Sequence, residues 1–176
     1  MKRIILIMLT LACAGGCGVG KELGRRAYLT AKYRVVRIPT ENMLPTIQMD
    51  DLAAVDENYY SNRPVERFDL IIFQHPQFDE ITGEKDTTYL KRVIALGGER
   101  VEIRQGKVYV DGAELGQPFP FVPHDPEEDF APIVVPEGEF FLLGDNRPNS
   151  ADSRHWKRPT LGRSHIRGKV VEIIPQ

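Results

Sequence analysis

Cysteine is nearly absent from this chain. Of 176 residues only Cys13 and Cys17 carry a thiol, and both lie within the first 20. The remainder has no disulfide, no thiolate metal cluster and no cysteine nucleophile, and is held by packing alone. A charge of one sign is lacking too. Twenty-three Lys and Arg against 25 Asp and Glu give a net charge of −2, with no basic run of five or more, which excludes nucleic acid as a partner. Several catalytic spacings are missing: His-Glu-x-x-His, Gly-x-Ser-x-Gly, Ser-x-x-Lys and a Gly-rich loop closing on Lys-Ser/Thr. The four histidines, His75, His124, His155 and His165, have no ligand pairing; no metal site is expected, and these side chains are expected at the surface. After residue 35 no apolar run keeps a helical period over ten residues or more. With 41% hydrophobic residues, the length suits one compact domain plus an appendage.

What is present begins with an export segment. Met1, Lys2 and Arg3 precede the uncharged run from Ile4 to Gly20, which as a helix spans roughly 25 Å against the ~30 Å of a bilayer core. Two readings stand. One is an uncleaved anchor. The other is a lipoprotein signal in which Ala14-Gly15-Gly16 leads to a lipidated Cys17. Both leave the remaining chain tethered to a membrane on its extracytoplasmic side. Residues 1–20 are thus a signal or anchor, 21–32 a connector or short helix, and 33–176 the folded domain.

Within 33–176 short runs rich in Val, Ile, Phe and Tyr alternate with turn residues. They predict strands at 34–38, 52–55, 70–73, 88–96, 100–103, 107–110, 140–143 and 169–174. Gln105-Gly106 and Asp111-Gly112 are hairpin signals. The fold class is mainly β, an antiparallel sheet with a small inserted β lobe near 104–138. Leu115 to Pro136 is Pro-rich and carries Asp125, Glu127, Glu128 and Asp129, which predicts a long irregular excursion with a solvated acidic cluster.

Three segments remain as carriers of chemistry: Pro39-Thr40-Glu41-Asn42-Met43-Leu44-Pro45-Thr46, Tyr89-Leu90-Lys91-Arg92-Val93, and Gly144-Asp145-Asn146-Arg147-Pro148-Asn149-Ser150-Ala151-Asp152-Ser153-Arg154. In this order they resemble the sequence boxes of the bacterial signal peptidase I family, membrane-anchored serine endopeptidases that remove signal peptides from exported proteins. The third box carries every specified residue of that family's Gly-Asp-Asn-Arg-x-Asn-Ser-x-Asp-Ser-Arg pattern. Val65 to Phe73 is similar to the family's intervening strand, and Gly168-Lys169-Val170-Val171 to its closing strand. The resemblance covers roughly residues 33–174.

That resemblance implies a site. Lys91 matches the lysine that acts as general base, which must work unprotonated; burial lowers a lysine pKa and makes this possible. Strand alternation puts Lys91 on a face with Tyr89, Val93 and Ala95. Ser150 matches the serine that orients the lysine, and Thr40 the residue whose hydroxyl helps hold the oxyanion. Asp145 with Arg92, and Asp152 with Arg154, are expected as ion pairs that position the site, alongside Asn146 and Arg147; Asn146 and Asn149 read equally well as solvated loop residues. The resemblance further implies no cofactor, a monomer, and as partners a membrane and exported preproteins or their signal peptides, bound as an added strand.

One departure decides how far the activity follows. The family pattern Pro-Ser-x-Ser-Met-x-Pro-Thr has its nucleophile at the second serine, where this chain has Asn42. A carboxamide has no hydroxyl proton for Lys91 to remove, and loss of a serine nucleophile costs on the order of 10⁶ in turnover. Thr40 is no substitute, since two residues along a strand displace the attacking atom by roughly 6–7 Å. The two functions expected are signal-peptide removal by serine-type chemistry and, alternatively, a catalytically silent homologue that binds signal-peptide-like segments or assists a partner peptidase. Gly97-Gly98-Glu99, in place of a Pro-containing family turn, is expected to change loop stiffness only.

Overall fold

The computed structural model describes residues 19–75 and 88–176. Helix α1 (Val19–Lys32) opens it, with Glu22 in its first turn and Lys32 in its last, each complementing the helix dipole. Leu29 anchors the helix against Ala54 and Ile174, and Arg26 donates to the Pro175 carbonyl at 2.7 Å. Residues 19–32 are therefore a helix docked on the sheet. Among the described residues no helix is long and apolar enough to cross a membrane. Residues 1–18, on which the anchor and Cys17 lipidation expectations rest, lie outside the described residues.

Among the described residues, all that follows α1 is strand, short 3-10 helix, turn or irregular chain. The strands are β1 (Arg34–Arg37), β2 (Leu52–Asp56), β3 (Leu70–Gln74), β4 (Thr88–Ala95), β5 (Arg100–Arg104), β6 (Lys107–Val110), β7 (Ala113–Glu114), β8 (Phe130–Val134), β9 (Glu139–Leu143), β10 (Leu161–Gly162) and β11 (Ile166–Ile174). Two antiparallel sheets result, one ordered β1-β2-β11-β3-β4-β9-β10 and the other β7-β6-β5-β8. All eight sequence-predicted strands are present, and β7, β8 and β10 are additional. The Gln105-Gly106 and Asp111-Gly112 hairpins form as expected: both residues of each turn have positive φ, and the flanking pairs Arg104↔Lys107 and Val110↔Ala113 close two-residue loops.

Alternation in the central strands buries both faces of the large sheet. Ile71, Phe73 and Val93 face a cluster with Phe140, Leu142 and Trp156. Ala53, Val55, Ile72, Leu90 and Val170 face the opposite side, under Ile38, Met43 and Ile47. A third cluster runs from Ala95, Phe141 and Leu143 into Val101, Ile103, Val108 and Val110, so the small sheet shares a core with the large one. A register shift between Val93 and Ala95 breaks the alternation assumed for β4. Ala95 therefore packs in the third cluster and not beside Val93.

The excursion at 115–136 is less irregular than expected. β8 lies within it and pairs with β5 through Arg100↔Val134 and Ile103↔Phe130. Pro132 is tolerated because β8 is an edge strand with a register shift. The acidic cluster is also not uniformly solvated. Asp125, Glu127 and Asp129 are exposed, whereas Glu128 turns inward to Arg154 and His124. Nor are all histidines at the surface: His75 and His124 are 5% and 4% exposed.

Candidate active site

The segment from Ile38 to Asp51 folds as a closed loop over the Leu90 face of the large sheet. Ile38 donates to the Asp51 carbonyl at 2.9 Å and Asp50 donates back to Ile38 at 2.8 Å, while Met43 and Ile47, fully buried, pin the loop down. Four residues after Ile38, this anchoring sets Asn42 at the wall of a groove of about 220 Å³. Val36, Ile38, Thr40, Asn42, Ile72, Tyr89 and Leu90 are among its lining residues. Thr40 is exposed on that wall. Among the described residues the Asn42 carboxamide has no hydrogen-bond partner; its main-chain carbonyl accepts the Asn146 N–H at 3.1 Å.

Lys91 follows the lining residue Leu90 in β4, where it pairs with Ile71, and is not itself among the groove's lining residues. It is 2% exposed, and its ammonium donates to the Leu90 carbonyl at 3.1 Å. Burial lowers its pKa to about 8, against the opposing pull of the Asp152 and Asp145 charges and with reinforcement from Arg154. Compared with an ordinary lysine, the unprotonated fraction at neutral pH rises roughly 300-fold. Among the described residues no hydrogen bond joins Lys91 to Asn42 or Ser150.

The sign of this shift gives a stability test. A lysine whose folded-state pKa lies below its unfolded value makes the unfolded chain bind more protons between about pH 8 and the usual 10.5, so stability rises across that window. Below it the buried charge costs about 3 kcal/mol. Thermal unfolding of Lys91→Met is expected to show a higher Tm than the parent at pH 7 and no such rise between pH 8 and 10.5. A lower Tm at pH 7 would mean the amine is stabilised by its surroundings.

The segment from Gly144 to Arg154 supplies the rest. Ser153 fastens it to β9 by donating its N–H to the Leu142 carbonyl at 3.1 Å and accepting the Leu142 N–H on Oγ at 2.9 Å. Gly144 donates its N–H to Asp152 at 3.0 Å. A Cβ at Gly144 would lie within 2.5 Å of both Ser150 Oγ and the Asn42 carbonyl oxygen, so the missing side chain lets both atoms come close to the Gly144 backbone. Ser150 is buried and its hydroxyl has no partner of normal hydrogen-bond geometry. Asn146 is 4% exposed and donates its side-chain amide to the Glu41 carbonyl at 3.0 Å, so its solvated reading is corrected; Asn149 is exposed.

Charge pairs hold the segment against β4. Arg92 grips Asp145 through Nε at 2.8 Å and Nη2 at 2.6 Å, and Thr46 Oγ1 donates to the same carboxylate at 2.6 Å. Arg154 takes Asp152 by Nε at 2.8 Å and Nη2 at 2.9 Å. Burial pushes the Asp152 pKa up, but the Arg154 bonds and charge and the Gly144 N–H hold it below the usual carboxylate value. Arg147, fully buried, donates to the Gly144 carbonyl at 2.9 Å; burial lowers its pKa to about 10, leaving it charged at neutral pH. Thr46, Gln117, Phe119, His124 and Glu128 join this site without having been singled out for it. Thr46 alone had a signal, its place in the first box.

The model of the family described as signal peptidase, peptidase S26, matches residues 4–174. The chain belongs to that family. It is 38% identical over 120 residues to a Synechocystis sp. protein named "Probable signal peptidase I-1", covering 68% of this chain and 60% of that one. It is 34% identical over 159 residues to the signal peptidase I of Leptolyngbya laminosa, covering 86% and 75%. Against a crystal structure of a signal peptidase I from Enterococcus faecalis the TM-score is 0.47 at 26% identity, over 62% of this chain and 98% of the other. The chain spans three fifths of the Synechocystis relative's length.

Proposed function

We propose that this member of the family is a signal peptidase I-like protein tethered to a bacterial membrane. Its domain stands on the extracytoplasmic side, and its groove takes the extended segment preceding the cleavage site of an exported preprotein. The observation that carries this reading is the groove between the Ile38–Asn42 wall and β4, with the low-pKa amine of Lys91 one residue from its lining. In this reading Lys91 is the general base, Ser150 orients it, and Thr40 stands on the oxyanion side. Arg92, Asp145, Asn146, Arg147, Asp152 and Arg154 position them. Residues 1–20 are the signal or anchor, lipidated at Cys17 in the lipoprotein form. Residues 33–176 form the domain, a monomer, with the lobe near 104–138 as an insertion.

Asn42 favours a second reading for the chemical step. With no hydroxyl at the nucleophile position, the groove binds its segment and turns it over negligibly, as a silent homologue or as an assistant to a partner peptidase. Binding separates the substrate claim from the chemistry. Fluorescence anisotropy of a labelled peptide bearing an Ala-x-Ala site, with the full chain in detergent micelles, is expected to saturate. Val36→Trp, which fills the groove, is expected to weaken binding at least tenfold. Equal binding by the two proteins would remove the groove from the reading.

A further inference from the structure

His124 lies outside every sequence box, yet it stands at the centre of the hydrogen bonds that join the 115–129 excursion to the site. Its side chain is wholly buried. Arg147 Nη1 lies 3.0 Å from Nε2, Glu128 Oε2 lies 2.9 Å from Nδ1, and Arg154 Nη1 lies 3.2 Å from Nδ1. Arginine only donates, so the contact with Arg147 requires Nε2 to be the acceptor, and the ring proton is on Nδ1. Nδ1–H then donates to Glu128. Arg154 cannot donate to a protonated Nδ1, and its Nη1 bond goes to the other Glu128 oxygen at 2.7 Å.

We propose that His124, neutral and protonated on Nδ1, is a positioning residue for the Lys91 site, acting through Arg147 and through the Glu128–Arg154 pair. Both arms end in the site. Arg147, whose Nη2 also donates to Gln117, holds the Gly144 carbonyl, and Ser150 Oγ and the Asn42 carbonyl both lie close against Gly144. Arg154 holds the Ser150 carbonyl at 3.3 Å, the Arg147 carbonyl at 2.7 Å and both oxygens of Asp152, whose charge acts on Lys91. The backbone follows the same route: Val122 donates to the Asp145 carbonyl at 2.9 Å and Arg147 to the Val122 carbonyl at 3.3 Å.

The charged groups facing the ring are Glu128 from its own loop and Arg147 and Arg154 from the site segment. Burial lowers its pKa to about 4, the Glu128 bond opposes, and the two arginines reinforce. An imidazolium would point Nε2–H at the Arg147 guanidinium and lose the acceptor that arm needs. In the folded chain the ring therefore stays neutral and the arm intact until pH falls toward about 4, and because an unfolded histidine protonates near 6.5, stability falls as pH drops from about 6.5 to about 4.

This inference rests on the reading of Lys91 as the working amine, but its test needs neither cleavage nor peptide. NMR of the full chain with isotope-labelled lysine and histidine, in micelles, reads both residues. In the parent, His124 is expected to show a pyrrole-type Nδ1 and a pyridine-type Nε2 at pH 7. In His124→Leu, the Lys91 titration midpoint is expected to rise by about one unit as water reaches the loosened site. His124→Gln, whose Oε1 can accept from Arg147, is expected to keep the parental midpoint, and it remains informative should the Leu variant not fold. The opposite tautomer in the parent, an unmoved Lys91 midpoint in His124→Leu, or a Gln variant shifted as far as the Leu variant would each overturn the proposal. The separate reading of the groove fails only if the peptide does not bind.

Discussion

Replacing Asn42 by serine is expected to raise cleavage of an Ala-x-Ala peptide by several orders of magnitude, up to the ~10⁶ that a serine nucleophile contributes in comparable proteases. The site around position 42 is otherwise furnished. Asn42 is held through its own carbonyl by Asn146, so the backbone that would present the new hydroxyl is already fixed. Lys91 carries a pKa of about 8 and follows Leu90, one of the groove's lining residues, in β4. The rate of Asn42→Ser is expected to climb with pH through about 8 as Lys91 loses its proton. Adding Lys91→Ala is expected to abolish it. Mass spectrometry of the peptide products across the four proteins, parent, each single variant and the double, decides the matter. Cleavage by the parent that Lys91→Ala removes would mean a nucleophile other than residue 42. No cleavage by Asn42→Ser would mean that the groove serves binding alone.

The second large effect is on stability. Arg92→Leu is expected to cost about 3–5 kcal/mol, because it removes the cation paired with Asp145, which is wholly buried. For a chain of this size that corresponds to a fall in Tm of about 10 °C or more. The loss spreads beyond the pair. The Arg92 guanidinium also donates to the Phe68 carbonyl at 2.9 Å and lies 3.9 Å from the centre of the Phe119 ring, so it joins β4, the 115–129 excursion and the site segment. Removing both charges, as Arg92→Leu with Asp145→Leu, is expected to recover part of the loss, since no uncompensated carboxylate remains. Thermal melts of parent, single and double variants measure this directly. A single variant within 1 °C of the parent would mean that Asp145 is satisfied by Thr46 alone.

Hairpins and central strands were legible because their determinants are local. Gln105-Gly106 and Asp111-Gly112 state their turn geometry in two residues each. Runs such as Leu70–Gln74 and Arg100–Arg104 carry their own β-rich composition. β8 was not legible, because Pro132 in its middle argues against a strand until β5 supplies the partner and the edge position removes the need for an N–H. The shift at Val93/Ala95 was invisible for a related reason: it is set by how β9 registers on β4, not by β4 alone.

The same division runs through the site. By itself the sequence determined the family boxes, the amine at Lys91, the asparagine at position 42 and the acid–base pairs Arg92–Asp145 and Arg154–Asp152, because each is a matter of residue type at a short spacing. Only the tertiary structure decided that Gly144 makes room for Ser150 and for the Asn42 carbonyl, that Lys91 is 2% exposed, and that His124 and Glu128, remote in sequence, hold Arg147 and Arg154. Burial and hydrogen-bond partnership depend on which distant segments fold over a residue, and no local pattern encodes them.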